Sequence, residues 1–253
     1  MNHFTRRHLL GALGLSAGAS LLAGNSQASS LEDDAAGRNW RYVKLDPAAI
    51  ADKAYGSPKE LGCMYGVFAS ICGALADAVG EPFRSFPCQM MGYGHGGAGG
   101  HGSLCGALNG AAAMIGLLVQ VKDTRDKLIT ELFAWCEAKS LPMHVPKTPV
   151  VDADIAQSVA RSVLCHISVG RWMKESGCNI ASQERQERCR RLTADVALKT
   201  VELLNQHFAG ECNLVGLPAS TKECIVCHGK SQLADAVGQM DCRACHTFPK
   251  KHP

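Results

Sequence analysis

The sequence predicts an all-α body followed by an irregular C-terminal tail, and three observations support this. Apolar residues recur at three- and four-residue spacing through most of the body. Pro follows Asp or Ser where helices would start, with Gly or Pro where they would stop, and strand-like alternation is scarce. The elements follow in order. After an extended stretch through Trp40 and Tyr42, Asp46-Pro47 starts a short helix, and Ser57-Pro58 starts a second that runs to about Gly80. A glycine loop from Gly92 to Gly102 precedes a helix from about Ser103 to Val121, and another from Asp123 to Ser140 ends before Leu141-Pro142. A link holding Pro142, Pro146 and Pro149 leads to a helix from Asp152 to Glu175, which Ser176-Gly177 breaks. The last long helix runs from about Ser182 to Phe208 and stops at Gly210.

The N-terminus reads as an address. Thr5-Arg6-Arg7-His8 opens onto an apolar run from Leu9 to Ala23, too short and too rich in Gly, Ala and Ser to span a membrane. With Ser26-Gln27-Ala28 as a small-residue cleavage site, residues 1–28 read as a twin-arginine signal. The expected location is the periplasm, with no stable membrane insertion. Paired arginines also occur in ordinary secretory signals, so an ordinary secretory signal or a retained anchor is the alternative. Without Arg6 and Arg7 the chain carries 24 basic against 23 acidic residues, so no basic field invites nucleic acid.

Two Cys-x-x-Cys-His pentapeptides lie eighteen residues apart, Cys224 to His228 and Cys242 to His246. In this pattern two thiols add to the vinyl groups of a haem and the histidine that follows ligates its iron. Two covalent c-type haems per chain are expected, held by Cys224, Cys227 and His228 and by Cys242, Cys245 and His246. A zinc site built from the two Cys-x-x-Cys knuckles is the alternative, but it assigns no role to the histidine that follows each.

Nine of the thirteen cysteines lie outside these motifs. Haem is attached after export, so haem alone gives no reason to cross a membrane folded. A cofactor inserted in the cytoplasm does, and the cysteines make an iron-sulfur cluster the leading one. Cys189 shares a helical stripe with Leu192, Val196 and Leu203, and Cys105 leads Leu108, Ala112 and Ile115 in the same manner. Cys63 precedes Val67 and Ser70, and Cys165 precedes Val169 and Trp172. Packing as a small hydrophobe is the competing role for each, and Cys72, Cys88, Cys136, Cys178 and Cys212 remain for disulfides.

The blocks Gly62-Cys63-Met64-Tyr65-Gly66-Val67-Phe68, Ser103 to Ala111 and Glu187-Arg188-Cys189-Arg190-Arg191-Leu192 resemble the family named for its C-GCAxxG-C-C pattern. Joined to two C-terminal haem motifs, the chain resembles the split-Soret cytochromes c over roughly residues 40 to 250. It writes Cys105-Gly106-Ala107 where the family pattern has Gly-Cys-Ala. The resemblance implies a helical homodimer with two closely stacked bis-histidine haems per subunit and a [2Fe-2S] cluster. One axial histidine would be shared across the interface. Cys63, Cys105, Cys165 and Cys189 are the implied cluster ligands, with Cys63 behind the other three because relatives use fewer than four cysteines. The organisation expected is a signal over 1–28, a helical domain holding the cluster over 29–210 and an irregular di-haem segment over 211–253.

For the sixth haem ligands, His95, His101, His144, His166, His207 and His252 remain. His95 and His101 lead, because a glycine loop lets backbone approach a flat macrocycle and reach a neighbouring subunit. Met240 is the rival, and His166 could serve the cluster as a nitrogen ligand. The function expected is electron transfer between a periplasmic donor and acceptor. The alternative is a haem reductase of a small oxidant such as peroxide or a nitrogen oxide, which needs an open iron position.

Overall fold

The structure, a computed structural model, describes residues 40–212, 214, 216–230 and 238–246; the expected export segment and His252 lie outside these residues. Asp46 caps helix α1 (Pro47–Tyr55), its side chain accepting from Ala48 N at 2.9 Å, and Pro47 supplies the preset first turn. A 3₁₀ turn at Lys59–Leu61 leads into α2 (Gly62–Val79). Next come α3 (Gly106–Leu118) and α4 (Lys122–Ala138). Then follow α5 (Cys165–Ser176), closed by Gly177 in the left-handed conformation, and α6 (Gln183–Phe208), capped by Ser182 accepting from Arg185 N. The only strands among the described residues are β1 (Ser140–Leu141) and β2 (Ser158–Val159), paired antiparallel.

The core forms where α2, α3 and α6 meet. Val67, Phe68, Ile71 and Leu75 pack with Leu108, Ala111, Met114 and Ile115 and with Val196, Val201 and Leu204, while α4 adds Leu128 and Leu132. Each of these Val, Leu, Ile, Phe and Met side chains contributes roughly 1.5–3 kcal/mol on burial. The close approach of α2 to α3 needs Gly110, where a Cβ would run into the Met64 carbonyl. α1 lies along α6, pinned by the Tyr55 hydroxyl, which donates to the fully buried Glu187 at 2.7 Å.

Three sequence expectations are corrected. The helix expected from Asp152 to Glu175 is confined to Cys165–Ser176. Residues 152–164 spend their backbone groups elsewhere: β2 pairs with β1, Arg161 N donates to Glu137 O at 2.9 Å, and the Trp172 indole holds Ala156 O at 2.7 Å. Arg161 also has a φ of 50°, which a right-handed helix excludes. The helix expected from Ser103 starts only at Gly106, because residues 103–105 pair with 163–165. The tail is not wholly irregular, since Ala219–His228 forms helix α7.

Asp195, 4% exposed, fastens the Pro-rich link to α6 by accepting from Met143 N at 2.7 Å and from His144 N. Burial raises its carboxyl to about 6, against the pull of those two N–H groups and of Arg188. A folded pKa above the unfolded one stabilises fully below the unfolded value and loses that contribution as pH rises through the folded value. Wild type is therefore expected to lose about 2 kcal/mol more stability than Asp195→Asn between about pH 4.5 and about pH 7.5. Denaturant unfolding of both proteins at the two pH values checks this, and parallel losses would refute it.

Candidate metal centre and haem segment

Cys63, Cys105, Cys165 and Cys189 come from four helices and line one cavity of about 340 Å³. Cys63 sits in the first turn of α2, Cys105 is the N-cap of α3, and Cys165 opens α5. Three of the four thiols thus stand at helix starts, where free N–H groups favour a thiolate. Cys105 accepts from the N–H groups of Ala107 and Leu108.

A short antiparallel crossing brings two of them together. Leu104 and Leu164 form an isolated bridge, with Cys105 N donating to Val163 O at 2.8 Å and Cys165 N donating to Ser103 O at 2.7 Å. The glycine loop arches over it: His166 N bonds Gly102 O, and Ser103 N and Oγ both bond Gly97 O. Gly106 is required beneath the arch, because a Cβ there would strike Gly94 O and the Cys63 thiol.

Burial pushes the Cys63, Cys105 and Cys165 thiols up, Cys165 to about 12, and their mutual repulsion adds to the rise. Arg188 opposes it at Cys105 and Cys165. Such thiols bind a metal as thiolates, releasing their protons to solvent as it binds. Among the described residues no three His, Cys, Asp or Glu side chains gather tightly enough for a single ion. Four thiols spread around one cavity suit instead a group of several atoms, and the donor set fits an iron-sulfur cluster.

The candidate histidines part company. His95 lines this cavity and is exposed, and His101 is exposed on the loop. His166 is exposed beside Gly102. His144 packs against Tyr55 with Nε2 3.7 Å from Asp52, and burial lowers its pKa, so it is a body residue. His207 lies edge-on to Phe208. Of the other cysteines, Cys72 and Cys88 are hydrogen-bonded thiols, which lowers the Cys88 pKa.

In the haem segment, Cys224, Cys227 and His228 share one face of α7 at helical spacing. Cys242 to His246 forms a second helical turn, with His246 N donating to Cys242 O at 2.9 Å. The motifs meet: the Cys242 and Cys224 thiols are hydrogen-bonded, and Arg243 pairs with Glu223 at 2.9 Å. Asp241 N donates to Glu137 Oε1 at 3.2 Å and ties this turn to α4. Between the segment and the body lies an apolar trough of about 440 Å³, walled by Ile129, Phe133, Val163, Leu164, Pro218 and Met240. Adjacent thiols beside an apolar wall suit thioether-linked haem.

Two features escaped sequence reading. Leu104 and Leu164 line the trough while their neighbours Cys105 and Cys165 line the cysteine cavity, so the bridge is a shared wall. Arg188 is the other, 2% exposed and lining the cysteine cavity. Its signal was a charge four residues before Leu192 on the apolar stripe of α6.

Residues 63–203 match the family model described as "Putative redox-active protein (C_GCAxxG_C_C)". The split-Soret cytochrome c of Desulfovibrio desulfuricans is 36% identical over 267 residues, spanning 98% of this chain and 95% of the relative. A solved structure reporting a novel iron centre in that cytochrome superposes with a TM-score of 0.79 at 37% identity, covering 83% of this chain and 91% of the other. With its four cysteines on one cavity and its paired haem motifs alongside, the chain belongs to the C_GCAxxG_C_C family and, within it, to the split-Soret cytochromes c.

Proposed function

We propose that this chain is a periplasmic electron carrier with two c-type haems and a [2Fe-2S] cluster, exported by the twin-arginine pathway and working as a homodimer. The observation that carries the reading is the convergence of four cysteines, distant in sequence, on one cavity. Family membership makes the protein a redox-active haem protein of electron transfer. The iron centre described in the relative supports placing iron in this cavity.

Cys224 and Cys227 would hold one haem by thioether bonds with His228 on its iron, and Cys242, Cys245 and His246 would hold the second. Cys105, Cys165 and Cys189, with Cys63 beside them, would hold the cluster. One-electron exchange at iron is the chemistry that these groups supply when bound. The chain itself contributes placement and insulation. The Leu104–Leu164 bridge keeps the cluster cavity and the trough one residue apart along two extended segments. His95 or His101 of the exposed glycine loop would supply a further ligand to iron, reaching the partner subunit's haem. Iron held in this way would be closed to substrate, which favours relay over catalysis.

Iron and acid-labile sulfide counts on protein purified intact test the cofactor set. About four irons per chain are expected, two in haem and two in the cluster. Replacing Cys105, Cys165 or Cys189 with Ser is expected to remove sulfide and bring iron to about two while the haem bands stay. Unchanged sulfide in all three variants would sink the cavity assignment. His228→Ala or His246→Ala is expected to abolish normal low-spin ligation of one haem, read by paramagnetic resonance. Binding of carbon monoxide to the reduced wild type would replace the carrier with a small-oxidant reductase.

A further inference from the structure

Arg188 is a buried cation without an anion. Its guanidinium donates through Nη2 to Ser168 Oγ at 2.8 Å and reaches through Nη1 to Cys189 Sγ at 4.0 Å, while the buried Nε has no hydrogen-bond partner. Among the described residues no carboxylate forms an ion pair with it; the nearby buried Glu187 is taken by Arg191 at 2.9 Å. Ser168 is neutral and itself lines the cavity. A guanidinium stays charged in any protein interior, so this site carries a fixed positive charge that no carboxylate in contact neutralises, Asp195 acting on it only through space.

The placement is costly unless something anionic completes it. The cavity offers the completion, because Arg188 shares its wall with all four cysteines. Bound thiolates and the sulfides of a cluster would bring negative charge beside the guanidinium. One-electron reduction adds one more, so the cation favours the reduced state over the oxidised one. Hydrogen bonds to the sulfurs act in the same direction.

Resting on the reading that this cavity holds an iron-sulfur cluster, we propose that Arg188 is its built-in counter-charge, a positioning residue that donates N–H bonds to sulfur and raises the reduction potential. Lysine keeps the charge but loses the planar fork that serves Ser168 and Cys189 together. Methionine keeps much of the volume and loses the charge.

The test compares full-length wild type with Arg188→Lys and Arg188→Met, purified anaerobically. Acid-labile sulfide is counted, and the cluster midpoint is followed by paramagnetic resonance during redox titration. Arg188→Met is expected to shift the reduction equilibrium at least tenfold toward the oxidised state, about 59 mV more negative for a one-electron couple, with Arg188→Lys between it and wild type. Loss of sulfide in Arg188→Met alone, with haem bands and melting temperature as in wild type, would equally establish the counter-charge. An unchanged midpoint in both variants at full sulfide content would overturn the proposal and leave the cluster reading standing. Loss of sulfide in both variants together with a lowered melting temperature would also overturn it, assigning Arg188 to the fold. Wild type without acid-labile sulfide would remove the cluster reading and Arg188's role with it.

Discussion

The structure around the candidate site depends on one small pairing, the antiparallel crossing of residues 103–105 with 163–165. It is too short to be a sheet, yet its hydrogen bonds halt two helices at chosen residues. α3 begins just after Cys105 and α5 begins at Cys165, so both thiols stand where helical N–H groups are unpaired. Because successive side chains in an extended strand point to opposite sides, the leucines at 104 and 164 fall on the other side of the same wall. One crossing thereby separates the cysteine-lined cavity from the trough beside the Cys-x-x-Cys-His motifs.

The glycine loop serves that crossing. Gly97 and Gly102 have φ values of 75° and 72°, and their carbonyls receive Ser103 and His166. A Cβ at Gly97 would meet the backbone of Gly102 and Ser103 as well as the Cys165 side chain. The loop is thus dense in glycine for contact as well as for turning, and its histidines are carried outward where an interface could use them.

Charge is distributed with the same economy of position. α6 carries Glu187, Arg188 and Asp195, all buried, and each is handled differently. Glu187 accepts from Tyr55 and pairs with Arg191, both at Oε1, and fixes α1. Asp195 receives two backbone N–H groups and fixes the Pro-rich link. Arg188 meets only the Ser168 hydroxyl and the Cys189 thiol, leaves its Nε without a partner, and faces the cysteines. Among the described residues no carboxylate pairs with this charge in contact, and the open side of its guanidinium is the cavity.

The sequence by itself determined the helical class, the caps at Asp46 and Ser182, the stops at Gly177 and Gly210, and the spacing of the two Cys-x-x-Cys-His motifs. These depend on local residue types and on contacts within a few positions, which spacing reports directly. It also singled out Cys63, Cys105, Cys165 and Cys189, through resemblance and helical stripes, but could not bring them to one place. Tertiary structure decided that convergence, the extended course of 152–164, the assignment of His144 to the body and the lone charge of Arg188. Each rests on hydrogen bonds or packing between segments far apart in the chain, such as Cys105 with Val163 and Glu187 with Tyr55. Periodicity can mark a residue as facing inward; which residue it meets there is settled only when the helices close around one another.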